Sequence, residues 1–233
     1  AISQLIVGID AGFKPFVYLE EGQPVGFDID LIHALAAAGG FEIVLVSEAF
    51  ASLIPEIVNG ELDVAISAIT ITEQRQQHID FTDAYFESDQ VPISFLNAGQ
   101  ALSVRNDSAI LNIDELTSEH KVGVKSSTTG DFLLTERSSA QSVRFENADQ
   151  ALYALANGDV DAVLLDTAVT AQFISDHPEL NLRLAGSLVA AEQYAIAVSK
   201  SQPHVRALLN ELLAELRANG EYDRIFNQWF STP

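Results

Sequence analysis

The sequence predicts an α/β protein of two lobes, each a mostly parallel sheet covered by helices. Two observations carry that reading. Short apolar, β-rich runs alternate with segments of helical spacing, and a helix–turn–strand pattern recurs at an offset of 98 residues.

The elements follow in chain order. Leu5–Ile9 reads as the first strand and is followed by the turn-rich Asp10–Pro15. Asp28–Ala38 sets Ile29, Leu31, Ile32 and Leu35 at helical spacing. Phe41–Val46 reads as a second strand, Leu53–Val58 as a short helix and Val64–Ile69 as a third strand. Helical patterns recur at Gln150–Ala156, Ala168–Ser175 and Pro203–Asn219; the last has its proline near the first turn and stops before Gly220. No Gly/Ser/Pro linker or low-complexity stretch interrupts the chain, so ordered segments are expected to join the lobes.

The repeat supports two lobes. Asn59-Gly60-Glu61-Leu62-Asp63-Val64-Ala65-Ile66 matches Asn157-Gly158-Asp159-Val160-Asp161-Ala162-Val163-Leu164, and Val7-Gly8-Ile9-Asp10 matches Val122-Gly123-Val124-Lys125 in the same order. Ligands of open parallel sheets sit beyond the carboxyl ends of the strands. The first strands end at Asp10 and Lys125, and the third strands at Ser67-Ala68 and Leu165-Asp166. Lobes that face each other would line one cleft with these four places. A carboxylate and an ammonium in equivalent spots suit a small zwitterionic or polar ligand.

Composition excludes several functions. The chain has 233 residues, 33 acidic against 12 basic side chains, and a net charge of −21, which opposes binding to nucleic acid or anionic membranes. A hydrophobic content of 48% is too high for a disordered chain. No apolar run approaches the roughly 20 residues of a transmembrane helix. Ala1-Ile2-Ser3-Gln4 lacks the basic and apolar regions of a signal peptide, so any such segment is expected to have been removed. With no cysteine, disulfides, Cys-type zinc sites and thiol chemistry are excluded, and the redox compartment stays open.

The distribution of charge isolates one residue. Residues 1–92 hold 15 acids and two cations, Lys14 and Arg75. Arg75 closes the run Ser67-Ala68-Ile69-Thr70-Ile71-Thr72-Glu73-Gln74-Arg75. There the Thr70/Glu73 spacing predicts a capping box and a helix start. Free N–H groups and the positive end of a helix dipole favour a carboxylate. A guanidinium adds two parallel donors that match its oxygens.

These residues carry a resemblance. Gly8-Ile9-Asp10-Ala11-Gly12-Phe13-Lys14-Pro15-Phe16, Val25-Gly26-Phe27-Asp28-Ile29-Asp30-Leu31, Thr70-Ile71-Thr72-Glu73-Gln74-Arg75 and Ile79-Asp80-Phe81-Thr82-Asp83-Ala84-Tyr85-Phe86 resemble the polar amino-acid-binding family of periplasmic solute-binding proteins. Gly123-Val124-Lys125-Ser126-Ser127-Thr128-Thr129-Gly130, then Asn219-Gly220-Glu221-Tyr222-Asp223 with Trp229-Phe230, extend the likeness over essentially the whole chain. Each motif is weak alone; six in order are specific.

The resemblance implies two lobes joined by two hinge strands and closing on one amino acid. The first lobe would be residues 1–90 with 190–233, and the second, inserted lobe 91–189. Hinge strands would fall near Val91–Phe95 and Tyr194–Ala197. Arg75 would clamp the α-carboxylate, helped by backbone N–H groups near Thr70 and Thr129. Asp166 would take the α-ammonium, since an ionised carboxylate accepts from its donors; the alternative for Asp166 is a helix N-cap before Ala168. Phe13 and Phe50 match the family's aromatic walls, while Phe16 reads as core. Ser67 and Ala68 stand where the family offers backbone carbonyls and a small hydroxyl. Thr128-Thr129-Gly130 would cap a helix and present N–H donors.

Side-chain selectivity would rest on Asp10, Lys125 and Leu165. Asp10 resembles the position that accepts from a terminal amide or guanidinium. Lys125 resembles the lysine of glutamine binders, able to satisfy an amide oxygen or pair with Asp10, and it would repel arginine. Leu165 departs from the glutamine pattern, where a histidine is usual. Glutamine is the first expectation, arginine or another basic amino acid the next, and an acidic or unusual amino acid follows.

The family context implies a periplasmic or extracellular monomer that delivers its ligand to the membrane permease of an ABC importer, with no metal or cofactor. The same module also serves sensor kinases, glutamate-receptor-like channels and fused transporters. The finish at Gly220–Pro233 favours a complete binding protein. A cyclohexadienyl dehydratase-like enzyme is the catalytic alternative. It needs an acid of raised pKa in a dry cleft, whereas Asp10 and Asp166 both have binding roles. His33, His78, His120, His177 and His204 fall outside the cleft motifs and read as surface or helix-face residues.

Overall fold

The computed structural model describes residues 1–87 and 99–230. The chain divides into two compact units, one of Ala1–Ala11, Pro15–Phe86 and Gln193–Pro233, the other of Gly12–Lys14 and Glu87–Glu192. The hinge strand expected at Val91–Phe95 lies outside the described residues.

The path begins with β1 (Gln4–Ile9), β2 (Gly12–Phe13), β3 (Val17–Glu20), β4 (Gln23–Val25), α1 (Phe27–Gly39), β5 (Glu42–Ser47), α2 (Phe50–Asn59) and β6 (Val64–Ala65). It continues through α3 (Glu73–Gln76), β7 (Asp80–Phe81), β8 (Phe86–Glu87), β9 (Gly99–Arg105), β10 (Lys121–Lys125), α4 (Thr129–Arg137) and β11 (Gln141–Phe145). It ends with α5 (Ala148–Asn157), β12 (Ala162–Asp166), α6 (Thr167–Asp176), β13 (Leu182–Ala191), β14 (Gln193–Tyr194), β15 (Ala197–Val198), α7 (Pro203–Ala218) and α8 (Glu221–Phe230). Among the described residues no helix is long and apolar enough to cross a membrane.

The two sheets repeat one design. The first orders its strands β5-β1-β6-β15-β7 and the second β11-β10-β12-β9-β13. In each, the first three strands are parallel and the fourth, β15 or β9, joins antiparallel. The matched Asn-Gly pairs end α2 and α5 with Gly60 and Gly158 at φ 80° and 84°, a conformation that glycine adopts without the Cβ clash.

Each unit has its own core. Leu53, Ile57, Leu62, Ala65, Ile69, Ile79 and Phe81 pack in the first. An aromatic cluster centred on Phe16, Phe27, Phe86, Tyr194 and Phe230 packs behind it, with ring centroids 5.1–6.3 Å apart. Phe16 is therefore a core residue, with none of its surface exposed. The second core joins Leu102, Val104, Val122, Val124, Leu134 and Leu164.

Two local expectations need correction. The third strand stops at Ala65, and Ala68 takes φ 45°, outside any strand conformation, so the strand cannot run to Ile69. The predicted Thr70/Glu73 capping box is absent: Thr72 is the N-cap, its side chain accepting from the Arg75 N–H at 3.1 Å. Thr70 instead forms an isolated antiparallel bridge with Tyr194, so its backbone is extended. The resulting helix is a single turn, too short for a helix dipole to contribute to anion binding.

Candidate functional site

The first unit gathers its predicted residues around two strand ends. Asp10 follows β1, and its N–H donates to the Ser67 hydroxyl at 3.0 Å while Ser67 Oγ donates back to the Asp10 carbonyl at 3.2 Å. Asp10 Oδ2 accepts from the backbone N–H of Phe50, the first residue of α2, at 3.1 Å. Asp10, Ser67 and Phe50 thus form one connected group.

Arg75 adjoins it. The side chain is only 8% exposed. Its Nη1 donates to the Thr70 carbonyl at 2.7 Å, and its Cζ lies 5.4 Å from the centre of the Phe50 ring. Both contacts orient the guanidinium, whose planar fork of donors is of the kind that matches a planar anion. The Thr70 carbonyl thus serves Arg75, while the bridge itself is closed by the flanking bonds Ile71 N–H to the Gln193 carbonyl and Ala195 N–H to the Ile69 carbonyl.

In the second unit Lys125, the last residue of β10, is 1% exposed. Its Nζ donates to the Glu146 carbonyl and lies 6.0 Å from the Phe13 ring centre. Phe13 belongs to the Gly12–Lys14 segment that packs with this unit, and Lys14 Nζ reaches Asp176 Oδ2 at 2.9 Å. Thr128 stands at the N-cap position of α4 but makes no side-chain cap; its hydroxyl donates to the Lys125 carbonyl at 2.8 Å. The Thr128-Thr129-Gly130 turn thus stands at the start of the helix as expected, with Thr128 as its N-cap residue and no side-chain hydrogen bond in the cap.

Asp166 and Leu165 end β12, 4% and 1% exposed. Asp166 is the N-cap residue of α6, yet its side chain makes no cap. Its Oδ1 accepts from Gln100 Nε2 at 2.8 Å. The same nitrogen donates to Thr129 Oγ1 and to Glu192 Oε2, each at 3.2 Å. Three acceptors converge on one nitrogen that carries two protons. That is an environment rich in acceptors for N–H groups.

Gln100 and Glu192 were missed by the sequence reading, as was Asp28. The signal for Gln100 was available: it is a lone amide in the otherwise apolar start of β9, directly opposite Asp166 in the strand register. Asp28 lay inside a recognised motif, but a first-turn acid reads as a dipole partner rather than as a buried carboxylate.

Residues 5–232 match the profile of the bacterial extracellular solute-binding proteins, family 3. The chain is 34% identical over 230 residues to a probable histidine-binding protein of Neisseria gonorrhoeae, covering 97% of this chain and 82% of that protein. It is 32% identical over 212 residues to the glutamine-binding protein of a Bacillus subtilis ABC transporter, covering 89% and 73%. The structure of an ancestral arginine-binding protein bound to glutamine superposes with a TM-score of 0.89 at 33% identity, covering 100% of both chains.

Proposed function

The chain belongs to the bacterial extracellular solute-binding proteins, family 3, and from that membership we propose that it binds one free L-amino acid, glutamine, for delivery to an ABC importer. The observation that carries the reading is Arg75, a buried guanidinium tied to the Thr70 carbonyl beside Phe50. It takes the α-carboxylate by paired, charge-assisted hydrogen bonds. Backbone N–H groups near Thr70 and Thr129 complete that contact, with Ser67, Ala68 and Thr128 shaping the strand ends beside it. Asp166 takes the α-ammonium from the second unit. Phe13 and Phe50 cover the apolar stem, and the two units close on the ligand about their connecting segments.

Glutamine is favoured by the buried ammonium of Lys125. Its donors suit an amide oxygen, and its charge opposes a guanidinium. Asp10 accepts from the amide N–H, and Leu165 adds an apolar neighbour. Relatives named for histidine, glutamine and arginine binding support the amino-acid class.

A thermal-shift screen against the 20 common L-amino acids, run on the wild type and on Arg75→Ala, tests this. A ligand that binds only the folded state raises the unfolding midpoint by mass action. Glutamine should give the largest rise, and Arg75→Ala should lose it. No rise with any amino acid overturns the binding reading. A larger rise with arginine or histidine overturns the side-chain assignment, and a rise that survives Arg75→Ala overturns the carboxylate assignment.

A further inference from the structure

We propose that Asp28 is a positioning residue for the ligand-binding turn, holding Ala68 in the left-handed conformation that the turn requires. The inference rests on the reading of Ser67–Thr70 as part of the amino-acid site.

Ala68 has φ 45°, a region an L-residue with a Cβ enters only when its surroundings impose it. Its N–H donates to Asp28 Oδ2 at 2.7 Å, and the Tyr85 hydroxyl donates to the same oxygen at 3.0 Å. Asp28 is wholly buried near the start of α1, and its own N–H is fixed on the Phe16 carbonyl at 3.0 Å. The acceptor is therefore rigid. Among the described residues its other oxygen, Oδ1, is buried with no hydrogen-bond partner.

A carboxylate in this place is costly. Burial pushes its pKa up to about 7, against the lowering effect of the Ala68 and Tyr85 hydrogen bonds. The titratable group facing it is Tyr85, with Tyr222 of α8 behind, its hydroxyl donating to the Tyr85 carbonyl. Among the described residues no lysine or arginine pairs with Asp28. An apolar side chain would fill the site at lower cost but could not hold the Ala68 N–H.

The second unit uses the same device. Ser127, φ 62°, donates its N–H to Oδ2 of the buried Asp131 at 3.1 Å, and Arg144 Nε in turn donates to that oxygen at 2.8 Å. Four described non-glycine residues have positive φ. The two that lie in the predicted ligand segments are the two held by a buried carboxylate. Asn181, away from those segments, donates to a backbone carbonyl instead.

Glycine tolerates positive φ unaided, so the proposal makes a rescue prediction. Asp28→Leu, which removes the acceptor that an asparagine amide oxygen would keep, should weaken glutamine binding about tenfold, measured by calorimetry. Adding Ala68→Gly should restore most of that affinity. Should Asp28→Leu fail to fold, Tyr85→Phe, which strips one donor from the same oxygen, should give a smaller loss with the same rescue. Wild-type affinity in Asp28→Leu, or a loss that Ala68→Gly leaves untouched, overturns the assignment and leaves the amino-acid reading standing. A wild type that binds no amino acid overturns both.

Discussion

At the scale of one residue, the proposed ligand choice rests on Lys125. Its ammonium is buried, with the Glu146 carbonyl as one acceptor and the Phe13 ring close by. Lys125→Met keeps the volume and removes the charge. Glutamine affinity should then fall about tenfold, or ~1.4 kcal/mol, while arginine affinity rises as the like charge disappears. Calorimetric titration with both ligands checks this, and an unchanged glutamine-to-arginine ratio would contradict it. Asp28 has a consequence of its own for stability. Its folded pKa lies near 7, above the ordinary 3.8, so the folded state binds this proton more readily than the unfolded chain. The stability it contributes is complete below about pH 4 and is lost as pH rises through 7. Unfolding midpoints between pH 5 and 8 should therefore decline more steeply in the wild type than in Asp28→Asn. Parallel curves would contradict the assignment.

At the scale of the element, β9 ties together residues of the site proposed for the second unit. Gln100 faces Asp166 in the strand register, and its amide bonds Thr129, Asp166 and Glu192. Gln100→Leu would leave two buried carboxylates without their shared donor, a loss of about 2–4 kcal/mol. Denaturant unfolding measures it; a change under about 0.5 kcal/mol would show that the hub is not structural. Neither β9 nor β13 was legible in the sequence. β9 is buried on both faces and so lacks alternation, and its polar residues read as breaks until Ser103 is seen donating to the Val163 carbonyl at 3.4 Å; β13 is a partly exposed edge strand whose register shifts after Ala185. The long helices were legible because one apolar stripe determines each: α1, α5, α6 and α7 match the expected segments within two residues. The third strand was read too long, since Ile66 and Ile69 are buried by packing on the core whether or not the backbone pairs. The false Thr70 cap has a similar cause. Both Thr70 and Thr72 are capping residues by type, and only the bridge to Tyr194 excludes the first.

At the scale of the molecule, the half-repeat was the most informative signal, because it became two sheets of one strand order. Charge told less about the surface than about the site. With only Lys14 and Arg75 among the cations of residues 1–92, Arg75 stands out in the sequence itself, and it is buried in the fold. The supports of the site were illegible for a physical reason. Asp28, Gln100 and Glu192 act through burial and through partners 29–92 positions away in the chain, and local spacing carries no trace of such contacts. The central claim is that Arg75 holds the carboxylate of a free amino acid. Calorimetric titration of the wild type and of Arg75→Ala with L-glutamine tests it most directly. The account predicts one-site binding in the wild type and at least a hundredfold weaker binding in the variant, about 2.7 kcal/mol for a charged pair of hydrogen bonds. Equal affinities in the two proteins would contradict it.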